Sequence, residues 1–271
     1  MQKSLLPRIL TILVSVPIIF ACTYVGGWLF FVLVTALALL SLNEFYQLMN
    51  KKGYSPSYLV GGVATIFFTW FTTYTLKHPH WEPYATGILT TAIILTFSAG
   101  IFLKKAQDST VNASITLLGI LYIGWMFSFL ILVRELTAHG AYLFFLMIAV
   151  WACDATAYVV GTNLGRIKLS PYISPMKTVE GAISGLVVSV IAATVFSRLI
   201  DMGLVHGIIL GVIIGIVGQI SDLVESLIKR DAGVKDSSNL VPGHGGFLDR
   251  MDSFILTAPI MYYYLTWFVL R

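Results

Sequence analysis

The chain has 271 residues, of which 57% are hydrophobic and only 11% are charged. Soluble domains carry about 25% charged residues, so this composition excludes a water-soluble protein and indicates an integral membrane protein among membrane lipids. The net charge of +4 does not predict nucleic-acid binding, because basic residues in membrane proteins report first on orientation. The two cysteines, Cys22 and Cys153, lie in apolar runs, which argues against a metal site or a disulfide framework.

The N-terminal stretch MQKSLLPRILTILVSVPIIFAC has two interpretations. It fits a lipoprotein-type signal, but a second apolar run follows directly, which favours a first membrane helix. No charge occurs from Ile9 to Asn43, and one helix of that length would be about 50 Å long, more than a bilayer core. We therefore expect a break near Gly26–Gly27.

Hydropathy along the rest of the chain predicts an all-α, polytopic bundle of about nine transmembrane helices. The predicted spans are residues 9–25, 27–45, 58–76, 85–103, 111–133, 141–163, 178–198, 203–228 and 252–270. Thirteen lysines and arginines then fall on the side of the N-terminus and four on the other side. The positive-inside rule predicts a cytoplasmic N-terminus and a cytoplasmic loop at 229–251, in the inner (plasma) membrane.

Three acidic residues, Asp154, Asp222 and Glu225, lie inside the predicted spans or at their ends. Each costs about 2.5–3.5 kcal/mol to insert, so such residues usually form an ion pair, lie at the interface or face a wet cavity. Asp222 and Glu225 are one helical turn apart, a spacing at which two carboxylates can share Mg²⁺.

The eighth span carries a glycine face that continues into these acids. Its members recur every three or four residues and are Gly203, Gly207, Gly211, Gly215, Gly218, Asp222, Glu225 and Lys229. Small residues allow close approach of another helix. The face suits either packing within the chain or a homodimer interface.

The segment SPMKTVEG (174–181) opens the seventh span. Ser174 or Thr178 could cap the helix, with Glu180 favouring its dipole. Alternatively, Ser174, Lys177 and Thr178 bind an anion at the helix N-terminus.

The segment VPGHGGFLDRMD (241–252) belongs to a window, 222–252, that holds ten of the thirty charged residues of the chain. Gly-rich backbone can form an anion nest. No P-loop, HExxH or zinc spacing is present. Clustered acids suggest a cation and clustered bases a polyanion, so the combination predicts a metal–phosphate site.

The window 221–253, SDLVESLIKRDAGVKDSSNLVPGHGGFLDRMDS, resembles the motif of the phosphatidate cytidylyltransferases, or CDP-diacylglycerol synthases. The matching positions are Ser226, Lys229, Arg230, Lys235, Asp236, Pro242, His244, Gly245, Gly246, Asp249, Arg250 and Asp252. DATAYVVGTNLG (154–165) and SPMKTVEG also resemble family segments, although Met176 stands where the family has lysine. We therefore expect N-terminal membrane helices in residues 1–110 and catalytic helices in residues 111–271.

The resemblance implies that CTP and phosphatidate react to give CDP-diacylglycerol and pyrophosphate with Mg²⁺, or with Mg²⁺ and a second cation. We expect Asp222 and Asp249 as metal ligands, with Asp154 and Glu225 as outer ligands. Phosphates would be neutralised by four basic residues, Lys229, Arg230, Lys235 and Arg250. His244, Gly245 and Gly246 would cradle the nucleotide.

Two other functions remain open from the sequence. A CTP-dependent lipid-alcohol kinase would use a similar metal–phosphate site. An ion-coupled transporter would explain acids within the membrane, but transporters often show broken helices in two related halves. Here the polar residues crowd one membrane side and the last 120 or so residues.

Overall fold

A computed structural model describes residues 5–75, 82–102, 108–238 and 245–270. Within these ranges the chain is almost entirely helical. The helices are α1 (Leu5–Val25), α2 (Gly27–Lys51), α3 (Tyr58–Thr75), α4 (Glu82–Phe102), α5 (Ser109–Gly119), α6 (Met126–Glu135), α7 (Ala141–Asn163), α8 (Val179–Leu199), α9 (Leu204–Asp231) and α10 (Leu248–Tyr264). A π-helical turn, Ile120–Trp125, joins α5 to α6, and a second, Leu265–Val269, extends α10.

The predicted all-α membrane bundle is confirmed, because each of the nine predicted spans coincides with a helix once α5, its π turn and α6 are counted as one. Five described segments are long and apolar enough to cross a membrane, namely Gly27–Lys51, Ser109–Glu135, Ala138–Asn163, Val179–Leu199 and Leu204–Asp231. Shorter apolar stretches lie in α1, α3 and α4. The division at residue 110 stays a prediction, although buried side chains of α2 belong to one core with those of α6, α7 and α10.

The break between α1 and α2 lies at Gly26–Gly27, as the sequence predicted. Gly26 and Gly27 have φ angles of 70° and 55°, which favour glycine. The buried Arg134 guanidinium donates from Nε to Thr23 O at 3.0 Å and from Nη2 to Tyr24 O at 3.1 Å. These bonds satisfy carbonyls that the end of α1 leaves unpaired.

The glycine face of α9 is used within the chain. A Cβ at Gly211 would lie 2.7 Å from Val190 Cα, and one at Gly215 would lie 2.7 Å from Leu186 Cδ1. Ser189 Oγ donates to Gly211 O at 3.1 Å across the same contact. Helix α8 therefore occupies this face, and a homodimer would need another surface.

A small antiparallel hairpin connects α7 to α8. It consists of β1 (Lys168–Ser170) and β2 (Ser174–Thr178), with Ser170 paired to Ser174. Glu180 accepts from Ile167 N at 3.2 Å and so fastens the hairpin to the start of α8. The hairpin carries Lys177 to the end of α9 that holds the acidic residues.

Candidate active site

Three carboxylates converge where α9 meets α10. The ligand atoms of Asp222, Glu225 and Asp252 all lie within 4.8 Å of one another. Glu225 is fully buried, and its carboxylate forms an ion pair with the neighbouring Lys229. Buried carboxylates in this arrangement repel one another and are costly to leave unpaired. Their oxygen donors fit a hard divalent cation.

Two lysines contact members of this acidic group. Lys177 Nζ lies 2.6 Å from Asp222 Oδ2. Lys229 Nζ lies 2.5 Å from Glu225 Oε2 and 2.5 Å from Asp249 Oδ1. The result is a compact patch of alternating charge, as the sequence predicted for a metal–phosphate site.

Asp249 lies beside the acidic group rather than in it. Its Oδ1 faces Lys229, and its Oδ2 accepts from Gly246 N at 2.8 Å and from Ser237 N at 3.1 Å. Both oxygens thus have partners, which link Asp249 to Lys229, to Ser237 and to Gly246 just before α10. Asp252 belongs to the acidic group, whereas the sequence analysis expected Asp249 as a metal ligand beside Asp222. Asp252 was one of the matching positions of the motif. Only the rotation of α10 about its axis shows which of the two aspartates, Asp249 or Asp252, faces the other acids.

Asp154 lies next to the acidic group. Its Oδ2 accepts from Ser253 Oγ at 3.4 Å, and Ser253 follows Asp252 in α10. Ser226 Oγ donates to Asp222 Oδ1 at 3.5 Å. Helices α7, α9 and α10 thus all contribute side chains at or next to the acidic group, and the role of Asp154 as an outer ligand stays a prediction.

Tyr122 is a candidate that the sequence analysis missed. It lies in the π turn between α5 and α6, is 8% exposed, and its hydroxyl has no hydrogen-bond partner in the described parts of the chain. The hydroxyl is buried within electrostatic range of Glu225, Asp252 and Asp222. π turns often occur at functional sites. A tyrosine within an apolar span carries no pattern that would distinguish it from core.

Glu44 of α2 is the second residue that the sequence analysis missed. It is fully buried, and its carboxylate accepts from Phe247 N at 3.0 Å and Leu248 N at 2.8 Å. Ser237 Oγ and Ser238 Oγ lie 2.9 Å and 2.6 Å from the same carboxylate. In the sequence, Glu44 is simply a charged residue at the end of an apolar run. Such a residue is equally typical of a helix end at the membrane interface.

Comparison with known proteins identifies the family of the chain. The model of the cytidylyltransferase family matches residues 6–268. The chain is 33% identical to the phosphatidate cytidylyltransferase of Synechocystis sp., over 95% of each chain. It is 33% identical to the phosphatidate cytidylyltransferases of Bacillus subtilis and Staphylococcus aureus, over 96% of this chain and 97% of each relative.

The chain belongs to the cytidylyltransferase family. It is therefore an enzyme, a nucleotidyltransferase of membrane phospholipid synthesis, as the motif resemblance predicted. The acidic group lies in the part of the chain where that resemblance is densest.

Arg230 and Lys235 are two further basic residues that the sequence analysis assigned to the site. Arg230 donates to Ile173 O and Val234 O, each at 3.0 Å, and so ties the hairpin to the end of α9. Lys235 is exposed. His244 lies outside the described residues, so its assignment to the nucleotide stays a prediction.

Of the two functions considered for SPMKTVEG, helix capping and anion binding, the structure shows capping by Thr178. Thr178 is the N-cap of α8, and its hydroxyl accepts from Gly181 N at 3.2 Å. Ser174 lies at the start of β2. Among the three candidates for an anion site, Lys177 is the one that contacts the acidic group of the enzyme.

The two described glycines of the HGG segment differ. Gly245 has a φ of 84° and is half-buried, which allows backbone to face a ligand. Gly246 is buried, and a Cβ there would overlap Ser237 and Glu44. Gly246 therefore packs against the protein.

Arg250 lies on another face of α10. With Phe247, Met251 and Phe254 it lines a mostly apolar cavity of about 530 Å³ between α10 and helices α1, α2, α6 and α7. Successive helical residues are rotated by about 100°, so Arg250 and Asp252 point to opposite sides. The enzyme thus has a polar site and an apolar cavity separated by one helix.

Proposed function

We propose that the enzyme transfers the cytidylyl group of CTP to phosphatidate with Mg²⁺ at the acidic group, which gives CDP-diacylglycerol and pyrophosphate. The observation that carries this proposal is the convergence of Asp222, Glu225 and Asp252 beside Lys177 and Lys229. A phosphate oxygen of the lipid forms a bond to the α-phosphorus of CTP. The bond from that phosphorus to the bridging oxygen breaks, and pyrophosphate leaves with the electron pair.

The nucleophile is already an anion, so the reaction needs no strong general base. The difficulty is to bring two polyanions together and to stabilise the charge that develops on pyrophosphate. Lys177 and Lys229 lie where they can neutralise phosphate oxygens beside the acidic group. Mg²⁺, or Mg²⁺ with a second cation, would be held by Asp222, Glu225 and Asp252 and would supply further positive charge to the phosphates.

The other residues that the sequence analysis assigned to the site have separate roles in this proposal. Arg230 and Lys235 are exposed near the end of α9, where they can attract incoming CTP. His244 and Gly245 belong to the loop that would hold the nucleotide. Asp249, expected as a ligand, is assigned to loop organisation in our proposal because it lies outside the group formed by Asp222, Glu225 and Asp252 and accepts from Ser237 N and Gly246 N.

We assign the Arg250 face of α10 to the lipid on its approach to the site. The cavity volume of about 530 Å³ lies within the usual range for ligand pockets, roughly 300–1,000 Å³. Apolar walls suit an acyl chain, and the guanidinium of Arg250 suits a phosphate. This assignment keeps the predicted phosphate role of Arg250 but moves it away from the metal-bound phosphates of CTP.

The enzyme is a membrane protein, and we propose an inner-membrane location with its N-terminus and active site in the cytoplasm. The bias of thirteen basic residues to four supports this orientation. CTP is a soluble polyanion, so its binding site must open to the aqueous phase.

The deciding experiment incubates the detergent-solubilised enzyme with CTP labelled in the cytosine ring and with phosphatidate, with and without Mg²⁺. We expect labelled CDP-diacylglycerol and an equal amount of pyrophosphate in the presence of Mg²⁺ only. In a parallel incubation with diacylglycerol in place of phosphatidate, formation of CDP and phosphatidate would instead identify a lipid-alcohol kinase. Ion movement into liposomes without lipid product would indicate a transporter.

A further inference from the structure

We propose that Glu44 is a positioning residue of the active site, which holds in place the residues that flank positions 239–244 and the start of α10. This inference rests on the proposed function. Glu44 lies in α2, outside the family motif, and contacts none of the acidic group. Positions 239–244 include most of the VPGHGG segment. Glu44 acts through the residues on either side of these positions.

The first argument is where the four donors come from. Ser237 and Ser238 precede the 239–244 segment, whereas Phe247 and Leu248 follow it. One carboxylate therefore fastens both ends of the loop. A buried carboxylate is costly unless hydrogen bonds satisfy it, so the loop and Glu44 stabilise each other's position.

The second argument is the start of α10. Its N-cap residue, Phe247, has no side-chain cap, which leaves backbone N–H groups to be satisfied. Glu44 accepts from two of them, at Phe247 and Leu248. A negative charge at a helix N-terminus is favourable. Glu44 thus caps α10 from another helix. It thereby fixes the start of the helix that carries Asp252.

The third argument is the connection to the charged groups. Ser237 Oγ lies 2.9 Å from Glu44 Oε2 and 2.8 Å from Asp249 Oδ2, so its single proton is shared by two carboxylates. Asp249 in turn contacts Lys229, which contacts Glu225. Glu44 is therefore linked to the acidic group through a continuous series of polar contacts.

The test compares Glu44→Gln with Thr35→Val. Glutamine keeps the shape but turns an NH₂ group toward donors. Thr35 lies in the same helix, is buried, and donates to Thr69 Oγ1 at 3.0 Å away from the loop. Both variants lose a buried polar interaction, so the pair separates general destabilisation from loop positioning.

We expect Glu44→Gln to lower kcat/KM for CTP by about 10- to 100-fold, as for the loss of hydrogen bonds to a buried charge. Amide hydrogen exchange in residues 237–249 should rise while exchange in α7 and α8 stays unchanged. Glu44→Asp, which keeps the charge, should recover part of the activity. Thr35→Val should retain near-normal kcat/KM and normal exchange in the loop.

Normal kcat/KM and normal loop exchange in folded Glu44→Gln would overturn the proposal, as would an equal loss of activity in Thr35→Val. If Glu44→Gln does not fold, Ser237→Ala serves instead, because it removes only the hydroxyl between Glu44 and Asp249; unchanged exchange in residues 237–249 would then overturn the proposal. Wild-type enzyme that makes no CDP-diacylglycerol would refute the proposed function, whereas the exchange measurement tests the role of Glu44 without that assay.

Discussion

Lys229 Nζ lies 2.5 Å from Glu225 Oε2 and 2.5 Å from Asp249 Oδ1. One ammonium group therefore joins a member of the acidic group to the residue that organises the loop before α10. Glu225 is fully buried, so Lys229 compensates a charge that has no access to water. Loss of this lysine should affect both the fold and the reaction.

We expect Lys229→Gln to reduce turnover by more than about 100-fold, because a principal source of positive charge for the phosphates is removed. Breaking a buried ion pair from one side also costs about 3–5 kcal/mol, so the unfolding temperature in detergent should fall. Lys229→Arg should not restore activity, since a planar guanidinium cannot replace a compact ammonium between two carboxylates. Wild-type turnover in Lys229→Gln would contradict this assignment.

The two aspartates of α10 should respond differently to Mg²⁺. Asp252→Asn should raise the Mg²⁺ concentration needed for half-maximal activity and lower turnover by more than about 100-fold, as should Asp222→Asn. Asp249→Asn should lower activity while leaving the Mg²⁺ requirement near that of the wild type, because its oxygens face protein donors. Titration of each variant with Mg²⁺ after removal of metal by EDTA measures this difference. A Mg²⁺ requirement raised only in Asp249→Asn would restore Asp249 as the ligand.

Tyr122→Phe tests whether the unpartnered hydroxyl has a role in the reaction. A buried hydroxyl without a partner is unfavourable, so its removal should leave the unfolding temperature unchanged or raise it. We expect turnover to fall by about tenfold, because the hydroxyl lies near the acidic group and can donate to a phosphate. Unchanged turnover with a raised unfolding temperature would leave Tyr122 as a packing residue only.

The contact between α8 and α9 should tolerate no side chain at Gly211. Alanine there would place Cβ 2.7 Å from Val190 Cα, a backbone atom that cannot move alone. We expect Gly211→Ala to destabilise the enzyme by about 1–3 kcal/mol, as in other overpacked sites. Gly62→Ala is the matched control, since its nearest neighbour, Leu39 Cδ2, would be 3.8 Å away. Thermal unfolding in detergent compares the two variants.

The sequence alone determined the membrane class, the positions of the apolar helices that the structure describes, the break at Gly26–Gly27 and the window that holds the acidic group. These features depend on local properties. The length of an apolar run decides whether a helix can span a bilayer, and glycine decides where the backbone can leave a helix. The motif in residues 221–253 named the reaction for the same reason, because its spacing is continuous along the chain.

Only the tertiary structure decided which residues meet. Asp249 and Asp252 are three positions apart, and the rotation of α10 against α9 places Asp252 with Asp222 while Asp249 turns to the loop. Glu44 reaches that loop from a helix about 200 positions earlier, a contact that no periodicity predicts. The physical reason is that hydrogen bonds and ion pairs depend on side-chain direction at the ångström scale, which arises from the packing of helices distant in the chain.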